Sequence, residues 1–207
     1  MRQDHLLKRY PKNRKPIIAL VCEGRNKSER LYFKHFNNRS SSFILKIFDA
    51  EVTDILNMGK KSKQIYKDLQ MDSKLGDRMF CLVDLDLDKN KYEKYLLAKS
   101  KYPMVEFIAS NPCFEIWLLF YFTQYPKIVT SSQKVKEELR KYVPNYSENM
   151  DVVTIMGLND KHVIAINNVE KYPQNKDYKH ILDRNPYTEI PNLIMLLFGN
   201  SIFNKEI

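Results

Sequence analysis

Two short, unbroken apolar runs, each ending on an acid, constrain this chain more than any other feature. Pro16-Ile-Ile-Ala-Leu-Val-Cys22 runs into Glu23-Gly24, and Met79-Phe-Cys-Leu-Val83 runs into Asp84-Leu-Asp86-Leu-Asp88. Short runs without alternation read as strands buried on both faces, the condition of strands inside a parallel sheet. Between and after them the pattern becomes helical. Leu31, Tyr32, Phe33 and Phe36 form one apolar stripe, and Ser62–Met71 predicts a second helix with Ile65 and Leu69 inward. Phe43–Val52 and Met104–Ala109 predict further strands, and Lys91–Ser100 a Lys- and Tyr-rich helix. Asn111 is placed to cap a strongly apolar helix from Cys113 to about Phe122, with Pro112 at its first position.

Alternating strand and helix over residues 17–122 predicts an α/β fold with a mostly parallel sheet flanked by helices. Beyond Tyr125 the pattern is helical only, at Gln133–Tyr142, Asp160–Tyr172 and Thr188–Phe198, with Pro- and Asn-rich connectors. The expected division is a basic, poorly ordered arm at 1–16, an α/β core at 17–125 and a helical C-terminal extension at 126–207 packed on the core. No internal repeat is visible.

Composition narrows the function classes. Of 207 residues, 43% are hydrophobic and 12% aromatic, enough for a real core, which excludes global disorder. The longest apolar stretch, Ile116 to Phe122, is far below the roughly 20 residues that span a bilayer. The charged start, MRQDHLLKRYPKNRKP, lacks the apolar segment of a secretory signal, so a cytoplasmic protein is expected. Cys22, Cys81 and Cys113 are scattered in apolar sequence, and His5, His35, His162 and His180 do not cluster. A zinc site, an HNH-type nuclease and a Ser-His-Asp hydrolase lose support accordingly. The balance of 34 Lys plus Arg over 25 Asp plus Glu gives +9, and a pI near 9.3 suits either a polyanionic partner or well-solvated faces.

The chemistry-bearing residues are the acids at the strand ends. Glu23 ends the first run, and Asp84, Asp86 and Asp88 follow the other with period two, so an extended backbone points all three one way. Ligands of open α/β sheets bind beyond the carboxyl ends of the strands. Carboxylates gathered there repel one another, and a hard divalent cation with oxygen ligands is the usual remedy. The plainer alternative is loop capping, with Asp88, Lys89 and Lys91 as surface charge. Glu115, beside Phe114 and Trp117, either serves the dipole of its helix or completes the metal site. Arg25 and Lys27 either hold a phosphate or solvate a helix turn. Gly59-Lys60-Lys61-Ser62 lacks the upstream glycine of a phosphate loop, position 54 being Asp, and is expected at most to bring lysines at a helix start near a phosphate.

These residues have a family resemblance. Val21-Cys22-Glu23-Gly24 followed by Ser28-Glu29-Arg30-Leu31-Tyr32-Phe33 resembles the opening of RloB-like proteins, and the likeness continues through Phe80-Cys-Leu-Val-Asp84-Leu-Asp86. It is strongest at Ala109-Ser-Asn-Pro-Cys-Phe-Glu-Ile-Trp-Leu-Leu119 and returns at Asn185-Pro186-Tyr187-Thr188. The resemblance implies a Toprim-like, Rossmann-like core and a metal-dependent nuclease of anti-phage abortive infection. It implies Glu23 as general acid/base or metal ligand, Asp84 and Asp86 as the pair holding Mg²⁺ (or Mn²⁺), and Asp88 and Glu115 as supporting ligands. Arg25, Lys27, Lys60, Lys61 and Asn111 complete the expected set as substrate contacts. The implied partners are DNA or RNA and an ATPase of the AAA or ABC type, with a homo-oligomer left open. Where relatives often carry Thr-Glu, this chain has Ser28-Glu29, and helix capping is the role expected of Glu29. The alternative function is a non-catalytic sensor of nucleic acid or nucleotide for such an ATPase. A topoisomerase or primase would need further domains or a nucleophilic tyrosine module.

Overall fold

The computed structural model describes residues 14–23, 27–37, 41–124, 126–172 and 180–202. Most of the expected N-terminal arm and Arg25 lie outside the described residues. The end of that arm is tied down. Arg14 donates to Asp77, and Asp77 also accepts from the backbone N–H of Ile17 (2.8 Å) and Asp72 (2.8 Å). Asp77 is buried, and although burial raises its proton affinity, the Arg14 guanidinium outweighs this and holds it below the usual carboxylate range.

The sheet contains β1 (Ile17–Cys22), β2 (Ile44–Asp49), β3 (Arg78–Asp84), β4 (Val105–Asn111) and β5 (Tyr187–Thr188), in the order β2-β1-β3-β4-β5. All neighbours are parallel except β4 and β5, where Ser110 faces Thr188 and Asn111 faces Tyr187 in antiparallel register. The apolar runs are β1 and β3, adjacent in the middle of the sheet and buried almost throughout. Their side chains alternate between two cores. Leu20, Cys22, Phe80 and Leu82 face one side, packed with Phe33, Phe114 and Trp117. Ala19, Val21, Met79, Cys81 and Val83 face the other. The chain is therefore an α/β protein with a five-stranded, mostly parallel, Rossmann-like sheet between two helical layers.

Helices α2 (Ile55–Asp68) and α3 (Lys89–Lys101) cover the second face. The first is covered by α1 (Ser28–Phe33), α4 (Glu115–Leu119), α5 (Ser132–Leu139), α6 (Val152–Met156), α7 (His162–Lys171) and α8 (Ile190–Ile202). The stretch after residue 126 thus packs on the core and also returns β5 to the sheet edge. Among the described residues no helix is long and apolar enough to cross a membrane.

Three local expectations change. Helix α2 begins at Ile55, seven residues before the expected start, with the Asp54 side chain accepting from the Asn57 N–H at 3.1 Å. Its buried stripe is Ile55, Met58, Ser62 and Ile65, a spacing that polar Lys60 and Lys61 obscure. Lys60 and Lys61 therefore sit inside the helix, not at its start. Asn111 is the last residue of β4 rather than a helix cap, and α4 opens only at Glu115. Neither α6 nor the two-residue β5 was expected, each being too short to carry a period.

Gly59 is explained by packing. A methyl group there would come within 2.5 Å of Tyr102 Cδ2 and 3.0 Å of Phe107 Cζ, so α2 rests directly on those rings. Alanine improves helix propensity by about 1 kcal/mol, but overpacking a filled core costs about 1–3 kcal/mol. Gly59→Ala is therefore expected to lower the urea midpoint; a variant at least as stable as the wild type would contradict this packing.

Candidate metal centre

The parallel strands β1 and β3 pair with Val21 opposite Cys81, so Glu23, one residue past β1, comes level with the end of β3. The order β2-β1-β3 also makes this the point where successive connections leave in opposite directions. The crevice at such a switch point is where open α/β sheets take ligands. Here it is an open cavity of about 280 Å³ with Glu23, Asp84 and Asp86 on its acidic side. Lys91 and Lys136 supply its cations, and Thr53, Cys113 and Ser132 complete the wall. Side chains about sixty positions apart in sequence therefore share one pocket.

Asp84 is the buried centre. It is 8% exposed, and one carboxylate oxygen accepts the Phe114 N–H at 2.9 Å. Burial raises its proton affinity well above the usual range, and the neighbouring charges of Glu29, Glu115, Glu23 and Asp86 raise it further. Glu29 behaves alike, raised first by burial and then by Glu115. Glu115 lies in the first turn of α4, 1% exposed, with Oε1 accepting from the Tyr146 hydroxyl at 2.8 Å and from Ser28 Oγ at 3.3 Å. Its other oxygen, and one oxygen of Glu29, are buried without a hydrogen-bond partner among the described residues.

Asp86 is held differently. Beyond Asp84 the backbone leaves the extended conformation, with φ of +51° at Asp86 and +59° at Leu87. Left-handed conformations at two successive residues with side chains are costly and persist only where surroundings enforce them. The enforcement is visible: the Asp86 N–H donates to the Pro112 carbonyl at 2.8 Å, and the Leu87 N–H to Asn111 Oδ1 at 3.1 Å. Asp86 then accepts Lys91 Nζ at 2.5 Å on one oxygen and the Ser132 hydroxyl on the other.

This turn corrects several expected roles. Asp84, Asp86 and Asp88 do not project in one direction, because the period-two argument requires an extended backbone. Asp88 is exposed and caps α3, accepting from the N–H of Asn90 and Lys91. It is not placed as a metal ligand. Asn111 is fully buried, with its amide nitrogen donating to the carbonyls of Leu182 and Arg184; it is a strut for the Asp86 turn rather than a substrate contact. Lys27, Lys60 and Lys61 are exposed and do not line the cavity, and Lys61 lies 3.8 Å from Glu51.

The cavity's cations are Lys91 and Lys136, and sequence reasoning missed both as site residues. It also missed Ser132 and Tyr146, which lie in the C-terminal stretch and reach Asp86 and Glu115. Glu29 is the remaining addition. It is 2% exposed and joined electrostatically to Glu115 and Asp84, so its role exceeds helix capping. A signal for it existed: Glu29 falls in a short helix three residues before Tyr32 and four before Phe33, on the same buried face.

Among the described residues no three His, Cys, Asp or Glu side chains are already gathered at ligating distance. The donor set nevertheless suits a hard divalent cation. Buried carboxylate oxygens without partners, and carboxyls whose charge is disfavoured, are what such an ion would relieve, and Mg²⁺ commonly uses one or two carboxylates with waters and substrate phosphate.

Together these features define a Rossmann-like α/β protein with an acidic pocket at the carboxyl edge of its central strands. A family model described as RloB-like protein matches residues 18–197, and the chain belongs to that family. Comparison with curated proteins and with solved structures returned no match.

Crowded acids leave a signature in stability. A carboxyl whose folded proton affinity is raised favours the folded state below its unfolded pKa, and loses that advantage as pH rises toward the raised value. In EDTA at pH 8, Glu29→Gln is therefore expected to be more stable than the wild type by about 1 kcal/mol. Near pH 4 the gap should close. Melting curves at the two pH values check this, and a less stable variant at pH 8 would count against the crowding.

Proposed function

We propose that this protein is a divalent-metal-dependent nuclease, hydrolysing phosphodiester bonds with a Toprim-like site built on Asp84, Glu115 and their acidic neighbours. The observation that carries the reading is the buried carboxylate group around Asp84, with one oxygen each of Glu29 and Glu115 lacking a partner among the described residues. A binding surface for polyanions gains nothing from concentrated negative charge, whereas a metal site requires it.

Asp84 and Glu115 are the primary candidates to hold Mg²⁺ or Mn²⁺, with Glu23, Glu29 and Asp86 around them. When bound, such an ion supplies positive charge to a phosphoryl oxygen and makes a water more acidic. The Phe114 N–H fixes Asp84, and Tyr146 with Ser28 fixes Glu115, so neither carboxylate has to be oriented during reaction. Glu23, only partly buried at the pocket wall, is the group suited to take a proton from the attacking water. Lys91 and Lys136 present ammonium groups to a scissile phosphate or its neighbour. The net charge of +9 favours a nucleic-acid substrate, DNA or RNA. Membership of the RloB-like family supports a place in anti-phage abortive infection beside an AAA- or ABC-type ATPase, acting in the cytoplasm.

A second reading, a sensor of nucleic acid or nucleotide that cuts nothing, draws on Asp86 being already engaged by Lys91 and Ser132. Labelled DNA and RNA, incubated with the protein alone and with a co-encoded ATPase in Mg²⁺, Mn²⁺ or EDTA, separate the two. The nuclease reading expects products only with metal. Asp84→Asn and Glu115→Gln should lose more activity than the roughly 10–100-fold typical of an outer-shell partner, and Tyr146→Phe should fall within that range. Full activity in Asp84→Asn would reject the site; metal-independent binding without products would favour the sensor.

A further inference from the structure

Lys91 holds a position that a metal ion would contest. It projects from the first turn of α3, its ammonium 2.5 Å from Asp86 Oδ2 and 3.3 Å from the Asp84 carbonyl oxygen. Its side chain is 26% exposed, on the wall of the same cavity as Asp84 and Glu23. Asp86 bonds it directly, and Glu23 and Asp84 on the same cavity wall add negative charge nearby. The ammonium thus serves the acidic cavity as a built-in counter-ion.

The pairing has a geometric reason. Asp86 sits in a left-handed turn enforced by Pro112 and Asn111, and α3 is capped by Asp88 two residues later. The turn and the cap place Lys91 five residues from Asp86 at the opening of the helix. Ser132 takes the other carboxylate oxygen. With both oxygens engaged, Asp86 cannot turn freely toward an incoming cation, and an ammonium next to a dication is repelled.

We propose that Lys91 is an exchangeable counter-cation: it neutralises Asp86 while the centre lacks metal, and a divalent ion entering beside Asp84 displaces its ammonium toward the cavity, where it meets a substrate phosphate. The inference rests on the acidic pocket being a metal centre. It adds that metal loading and phosphate binding are linked through one side chain. No covalent step is involved; one ion pair opens, and the freed ammonium pairs with a phosphoryl oxygen.

The test is Mn²⁺ binding followed by electron paramagnetic resonance of the free ion, using the full chain without nucleic acid. The wild type, Lys91→Met, Asp84→Asn and Glu115→Gln are compared, with circular dichroism to confirm folding. Exchange predicts that Lys91→Met binds Mn²⁺ at least about threefold more tightly, since no ion pair of the order of an exposed or half-buried salt bridge has to be broken. A second readout is lysine acetylation by mass spectrometry. Labelling of Lys91 should rise on Mn²⁺ saturation while Lys99 stays constant. If Asp84→Asn and Glu115→Gln weaken Mn²⁺ binding but Lys91→Met binds equally or less tightly, or Lys91 labelling does not change, the exchange is wrong and the metal centre stands. If all four proteins bind Mn²⁺ alike, or none binds, the metal centre itself falls and the exchange with it.

Discussion

The adjacency of β1 and β3 governs the rest of the molecule. Two parallel strands buried on both faces must stop somewhere, and here they stop together at the sheet's switch point, each delivering a carboxylate. Asp84 stays within the protein because its backbone is still paired to β4 through Ser110 and its side chain accepts the Phe114 N–H. A buried charge is costly unless it is paired or coordinated. Glu29 and Glu115, both buried, add their charges to it, and each leaves one oxygen without a partner among the described residues. Carboxyls perturbed in this way cluster at functional sites.

The neighbouring elements enclose these acids. The Tyr146 and Ser28 hydroxyl oxygens lie 2.8 Å apart, both within reach of Glu115 Oε1. Ser132 reaches Asp86, and Lys136 reaches Glu148 while facing the cavity. The stretch around α5 therefore completes the pocket wall as well as covering the core. On the opposite side the Asp86 turn is braced by Pro112 and by Asn111, whose amide also holds the 182–184 backbone in place before β5.

The central sheet was legible because β1 and β3 are uniformly apolar, too short for a helix and sharply bounded, and Glu23 and Asp84 were legible as the acids on which they end. Glu115 stood out as a charge within an apolar helix. What failed did so for identifiable reasons. Extending period two from Asp84 to Asp88 assumed strand geometry, but the backbone turns left-handed at Asp86 and Leu87, a conformation that Asp adopts occasionally and Leu rarely. Asn111 followed by Pro112 carries the local signature of a helix start, yet tertiary pairing with Tyr187 keeps Asn111 in a strand. Lysines near Gly59 drew attention through motif likeness, while the lysines that reach the pocket, Lys91 and Lys136, lie on helices whose docking no linear pattern specifies. Ser132 and Tyr146 belong to the same class: long-range partners set by topology.

A crystal of the full chain soaked in Mn²⁺, with an anomalous difference map at the manganese edge, addresses the central claim most directly. A peak is expected within about 2.3 Å of carboxylate oxygens of Asp84 or Glu115, between the ends of β1 and β3. Manganese bound only elsewhere on the surface, with that crevice left without a peak at saturating concentration, would contradict it.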